Sequence, residues 1–279
     1  MDIGTIIGFI VGGLLIFCAI VFGGHDGFAS FWNVPALLIV FGCTAAAVLI
    51  AFPLKPILQS LASVKQCFAK SKTDPKEIIS QIVFFSESVR RAGLLAQESR
   101  LDDVRDPFLA EGLHLIVDGL PPSTVENILN SEIEAIQHRN QRERNVLLHC
   151  GRCAPAFGML GTIIGLVMML AKLDAESVGP GMAVAVLTTF YGVLAAHLFF
   201  LPVAEKLWQL HEAEMQIKSM IVRGVLAIQS GEHPRIIRLK LQTLLPSEER
   251  PEDKQTWTHD MQTIALPMEE DVMETKQAA

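Results

Sequence analysis

Hydrophobic residues along this chain fall into four long runs, separated by polar stretches of very unequal length. The first run, Ile3–Phe22, starts almost at the initiator methionine. It carries no basic leader and no small-residue cleavage site, so it reads as a retained span rather than a signal peptide. A second run covers about 34–52 and is broken by Pro53 and Pro56. The third, APAFGMLGTIIGLVMML, starts at Ala154, and the fourth, GPGMAVAVLTTFYGVLAAHLFFLPVAEK, starts at Gly179. At about 1.5 Å per residue, each of the last two is long enough to cross a hydrocarbon core of about 30 Å.

Charge orients these runs. Residues 25–33 hold no Lys or Arg, whereas the polar segment 54–149 holds about a dozen. The positive-inside rule places that segment in the cytoplasm and the short loop outside. The expected architecture is an all-α membrane protein with four transmembrane helices, both chain ends being cytoplasmic. A helical cytoplasmic domain lies between spans 2 and 3, and span 4 extends into the cytoplasm. The units are a hairpin over 1–53, the cytoplasmic domain over 54–149, a second hairpin over 150–205, a cytoplasmic helix over 206–244 and an acidic tail over 245–279. Polar, acidic and proline-bearing composition makes disorder the expectation for that tail.

Within the inner segment every periodic stretch is helical. Residues 57–68 are amphipathic, with Leu58, Leu61, Val64 and Phe68 on one side. Asp74-Pro75 and Asp106-Pro107 are helix starts, and Pro121-Pro122 opens a long helix expected to end near Leu148. Gly4, Gly8 and Gly12 fall on one face of the first span, where small residues let a neighbouring backbone approach.

Half of the 279 residues are hydrophobic and only 19% are charged, against roughly a quarter charged in soluble domains. The net charge of −7 resides mostly in the tail, where nine acidic residues face three basic ones, and nothing suggests nucleic-acid binding. Five cysteines make no secreted disulfide framework. Cys150-Gly-Arg-Cys153 has the spacing of a redox pair, but no strand–helix–strand pattern surrounds it and no second such motif completes a zinc site.

The spans are informative for what they lack. Their central parts contain no Asp, Glu, Lys or Arg, so any ion path here needs its charge from a partner. What they hold instead are hydroxyls, Thr162 in one arm and Thr188, Thr189 and Tyr191 in the other, together with Pro155 and Pro202. The prolines lie at the same, cytoplasmic side and free backbone carbonyls. Thr188 and Thr189 are adjacent and cannot both face one lumen; Thr189 is favoured, and hydroxyls bonded back to their own helix are the alternative for both. Tyr191 has no assigned role. His197 reads as hydrogen-bonded between packed helices, with a place beside the path as the alternative. In the cytoplasm, Arg90, Arg91 and Glu98 flank the apolar island Leu94-Leu95-Ala96, which spacing alone explains as a solvated helical face. No catalytic constellation is present.

APAFGMLGTIIGLV, GPGMAVAVLTTFYG and FFLPVAEKL resemble the MotA/PomA stator subunits of the bacterial flagellar motor, as do AGLLAQE, RDPFLAEGL and IQSGEHPR. The resemblance covers about residues 1–240. It implies an inner-membrane subunit, not an enzyme, that forms a ring (a pentamer in the family) around a MotB/PomB-type single-span peptidoglycan-binding partner carrying the ion-binding aspartate. Ion passage then drives torque on the rotor protein FliG. The resemblance also implies that Arg90, Arg91 and Glu98 contact the rotor and that Pro155 and Pro202 are the two functional prolines. Gln97 departs from the leucine expected in that segment. No cofactor is expected; the transported ion is Na⁺ ahead of H⁺, because Thr162 and the Thr188-Thr189 pair supply hard oxygen ligands. Two other functions remain open: an ExbB/TolQ-like energiser of envelope transport, and a membrane redox protein using Cys150 and Cys153.

Overall fold

The computed structural model describes residues 3–22, 31–67, 74–94, 104–171 and 175–245. Among them there is no strand. Phe68, Gln97, Glu98 and the tail from residue 246 lie outside the described residues.

The α-helices among the described residues are α1 Ile3–Phe22, α2 Val34–Leu37, α3 Cys43–Ala51, α4 Leu54–Cys67, α5 Pro75–Ala92, α6 Pro107–Val117, α7 Pro122–Ala171, α8 Ala175–Leu194, α9 Leu201–Gln229 and α10 Pro234–Gln242. Two π-helical segments, Leu38–Gly42 and Ala195–Phe200, join α2 to α3 and α8 to α9 without a break. Three helical stretches among the described residues are long and apolar enough to cross a membrane: Val34–Ala51, Pro122–Ala171 and Val178–Gln229. A shorter apolar stretch, Ile7–Phe22, belongs to α1.

Local chemistry fixes the helix starts. The Asp74 carboxyl accepts from the Lys76 N–H at 2.9 Å, and that of Asp106 accepts from the Phe108 and Leu109 N–H groups at 3.0 Å. In both, proline follows at the first helical position, where its missing N–H costs nothing. Asn33 caps α2 and His233 caps α10 in the same way.

Two features differ from the sequence reading. The helix expected to stop near Leu148 runs on to Ala171, 50 residues from Pro122, with Pro155 inside it. At about 1.5 Å per residue it is a rod of about 75 Å. Helix α8 likewise begins at Ala175, ahead of the fourth hydrophobic run at Gly179, and carries Pro180. Pro56 does not interrupt either; it falls in the first turn of α4. The second difference concerns the faces of α4. Leu54, Leu58 and Leu61 point outward, at 59–65% exposed, and the buried positions are Ser60 and Ser63. An apolar stripe next to a membrane need not face a protein core, and Ser63 has a polar partner inside.

The two rods, α7 and α8–α9, run antiparallel and pack along their length. At one end α5, α6 and α10 wrap around them, burying Ile82, Leu109, Leu113, Ile116, Leu129, Ile221 and Ile237 in a single apolar core. Toward the other end, Ala36 and Val40 of the α2–α3 arm pack with Leu187, Tyr191 and Ala195. Helix α1 touches the rods where Phe9 meets Phe199 edge-on and Gly12 faces Leu198. A Cβ on Gly8 would have nothing within 4 Å, and the close approach expected at Gly12 is to a side chain rather than a backbone.

Candidate functional site

Helices α7 and α8 meet across a seam of small residues. A Cβ on Gly158 would lie 2.9 Å from the Thr188 carbonyl oxygen, and one on Gly165 would lie 2.6 Å from that of Gly181. On α8, a Cβ on Gly192 would lie 2.6 Å from the Ala154 carbonyl oxygen and 3.1 Å from the Pro155 Cα. Backbone therefore faces backbone at Gly158, Gly165 and Gly192, an approach that only glycine permits. The sequence holds the signal for this seam, since Gly158, Gly161 and Gly165 recur every three or four residues. The same spacing of small residues thus marks a close contact here, where none was expected, as well as in α1.

The seam fixes where the hydroxyls point. Thr188 is fully buried in it; its hydroxyl donates to the Val184 and Ala185 carbonyls at 2.9 and 3.0 Å, and its side chain packs over Gly161. Thr162 follows Gly161 by one residue and Thr189 follows Thr188, so each is rotated about 100° from the seam residue before it. In an antiparallel pair those two rotations carry both side chains to the same side. Pro155, seven residues before Thr162, shares that side. Thr189 is exposed, Thr162 and Pro155 are half-buried, and exposed Met182 and Val186 flank them. The Thr162 hydroxyl donates to the Met159 carbonyl at 2.6 Å, which leaves its lone pairs outward.

Helix α2 occupies the opposite side of the pair, and Tyr191 is its anchor. The Tyr191 hydroxyl donates to the Phe31 carbonyl and accepts from the Asn33 N–H at 3.3 Å. This residue, unassigned from sequence, ties the segment entering α2 to α8. Tyr191→Phe should leave both backbone groups unpaired and lower stability by about 1–3 kcal/mol. Thermal unfolding of the solubilised protein and faster amide exchange at residues 31–37 are the measurements.

The prolines mark where the rods lose backbone hydrogen bonds. Pro155 cannot donate to Gly151, one turn back. Pro202 follows the π segment Ala195–Phe200, where the Leu201 N–H bonds five residues back, to Ala196. Pro202 is exposed, as is His197 in the same segment. Arg90 and Arg91 are exposed in the last turn of α5, where cations complement the helix dipole, and Gly93 ends that helix at a φ of 83°. Cys150 and Cys153 are free thiols within unbroken α7, and no cluster of three potential metal ligands occurs among the described residues.

Comparison with known proteins gives this arrangement its context. Residues 100–220 match the model of the MotA/TolQ/ExbB proton channel family. Motility protein A of Treponema phagedenis is 36% identical, over 91% of this chain and 96% of its own. Chemotaxis protein PomA of Vibrio alginolyticus is 34% identical, over 90% and 96%. Among solved structures, the flagellar MotAB stator complex from Bacillus subtilis contains a chain with a TM-score of 0.81 and 31% identity, covering 88% of this chain and 96% of that one. These relatives are motor and ion-channel subunits rather than enzymes, and the chain belongs to the MotA family of flagellar motor stator subunits.

Proposed function

We propose that this chain is the ring-forming subunit of a sodium-driven stator, pairing with a MotB/PomB-type single-span partner. It crosses the inner membrane four times, through α1, α2–α3, the second half of α7, and α8 with its π segment. Both ends are cytoplasmic, with boundaries near residues 53, 149, 205 and 244. The observation that carries the reading is the uncovered side of the α7–α8 pair. It presents Thr162, Thr189 and Pro155, and no Asp, Glu, Lys or Arg lies within the central spans. A cation on that side meets oxygen ligands but no counter-charge, so the carboxylate belongs to the partner that the ring, a pentamer, encloses. Thr188 shapes the seam from behind.

Sodium is favoured over protons by the state of the hydroxyl. A hydroxyl whose proton is already committed to its own helix offers lone pairs, which suit a hard cation better than a proton relay. At the far end, Arg90 and Arg91, with Glu98, engage the rotor protein FliG. The stator relatives, matched over about nine-tenths of this chain, favour this over an energiser of envelope transport. When this subunit is co-expressed with its partner, swimming speed at fixed pH should rise with sodium concentration. Indifference to sodium, with motility intact, would transfer the reading to protons. Absence of any co-purifying single-span partner would remove the stator assignment itself.

A further inference from the structure

A second polar site lies beyond the membrane-crossing part of the rods, past the Arg144–Glu205 ion pair at 3.3 Å. Here α4, α7 and α9 converge on three buried polar side chains: Asn140 and Glu143 of α7, 6% exposed each, and His211 of α9, 9% exposed. The Glu143 carboxyl accepts the hydroxyl of buried Ser63, from α4, at 2.5 Å, a contact spanning 80 residues of sequence. The Asn140 Nδ2 and the His211 Nδ1 have no protein partner. Buried polar side chains that find no partner within the protein are uncommon, so the cluster is unlike an ordinary core.

We propose that this cluster is an acid-sensitive latch holding α4 against the two rods, with His211 as the group that responds to cytoplasmic pH. Several groups bear on His211. From α7 come Glu143, which favours the imidazolium, and Arg139, which opposes it; from α9 itself, Glu214 favours it. Helix α4 contributes hydroxyls, and its Lys55 and Lys65 are exposed. Burial is the largest influence and holds the His211 pKa below its ordinary value. The native state therefore takes up the proton less readily than the unfolded one. Stability at this junction is complete above the ordinary histidine pKa of 6.5 and is lost as pH falls from there toward the folded value. Burial outweighs the attraction of Glu143 and Glu214, and α4, α7 and α9 meet at this cluster, so the three-helix contact is where the loss appears.

Hydrogen exchange of the complete stator complex, corrected for the pH dependence of intrinsic exchange, tests this. Between pH 7.5 and 5.5, residues 54–67 should lose protection severalfold in the natural protein, while the α5–α6 core should not. H211Q, which keeps a polar side chain but cannot titrate, should hold residues 54–67 at the same protection at both pH values. An equal loss in H211Q overturns the assignment to His211. Should H211Q fail to fold, the natural protein decides alone: constant protection of 54–67 across that range overturns the latch.

Discussion

Valine in place of Gly192 or Gly165 should abolish motility by preventing the α7–α8 pair from closing. At both positions the new Cβ meets backbone of the other helix at 2.6 Å, and backbone cannot rotate away as a side chain can. Overpacking a well-filled contact ordinarily costs about 1–3 kcal/mol and sometimes more, and a clash with main chain belongs at the upper end. The helices must then separate, which removes the interlocking that drives association in lipid, where no hydrophobic gain compensates. Gly192→Val should therefore lower the yield of folded complex and the unfolding temperature together. Two glycines of α1 serve as comparisons. Gly13→Ala has nothing within 4 Å and should be silent, and Gly12→Ala meets only the movable end of Leu198. Normal assembly of Gly192→Val would show that the seam is slack.

The second large effect separates two adjacent threonines. Valine matches threonine in shape, so Thr→Val removes a hydroxyl and little else. Thr189→Val and Thr162→Val should each abolish ion-driven swimming while leaving membrane-inserted protein at normal levels. Thr162→Ala should do the same. Thr188→Val should retain ion conduction, because that hydroxyl is spent on the Val184 and Ala185 carbonyls and faces Gly161. Those carbonyls keep their helical partners, so the expected stability change is within about 1 kcal/mol. Swimming speed, membrane protein level and sodium uptake in reconstituted vesicles are the three readouts. The reverse pattern, with Thr188 essential and Thr189 dispensable, would place the path on the wrong side of the pair.

How much of this was legible depends on how far apart the interacting residues are. Asp74-Pro75 and Asp106-Pro107 announce their helices because a cap and its N–H partners lie within three residues. The adjacency of Thr188 and Thr189 was enough to show that only one can face a lumen. Choosing between them with a geometric reason required the seam. The course of α7 through Pro155 was not legible, since an interior proline ordinarily reads as a break. Packing of α8 against Ala154 and of Leu201 against Gly151 holds that turn helical. The orientation of α4 was misread for a related reason. Its leucine stripe follows the amphipathic rule, but that rule assumes water outside, and the Ser63 partner lies on another helix. Tyr191 is the clearest loss: its partners Phe31 and Asn33 are about 160 positions away, and no periodicity connects them.

The unbroken course of α7 has a mechanical consequence. From Pro155 to Pro122 the helix extends about 50 Å without a joint, so it can serve as a lever with its fulcrum near the proposed ion path. A rocking of about 5° at that fulcrum sweeps the far end through about 4 Å, roughly the width of one side-chain contact. On the proposed path, a small change in coordination at Thr162 and Thr189 would thereby be geared up to a stroke on the scale of a protein interface.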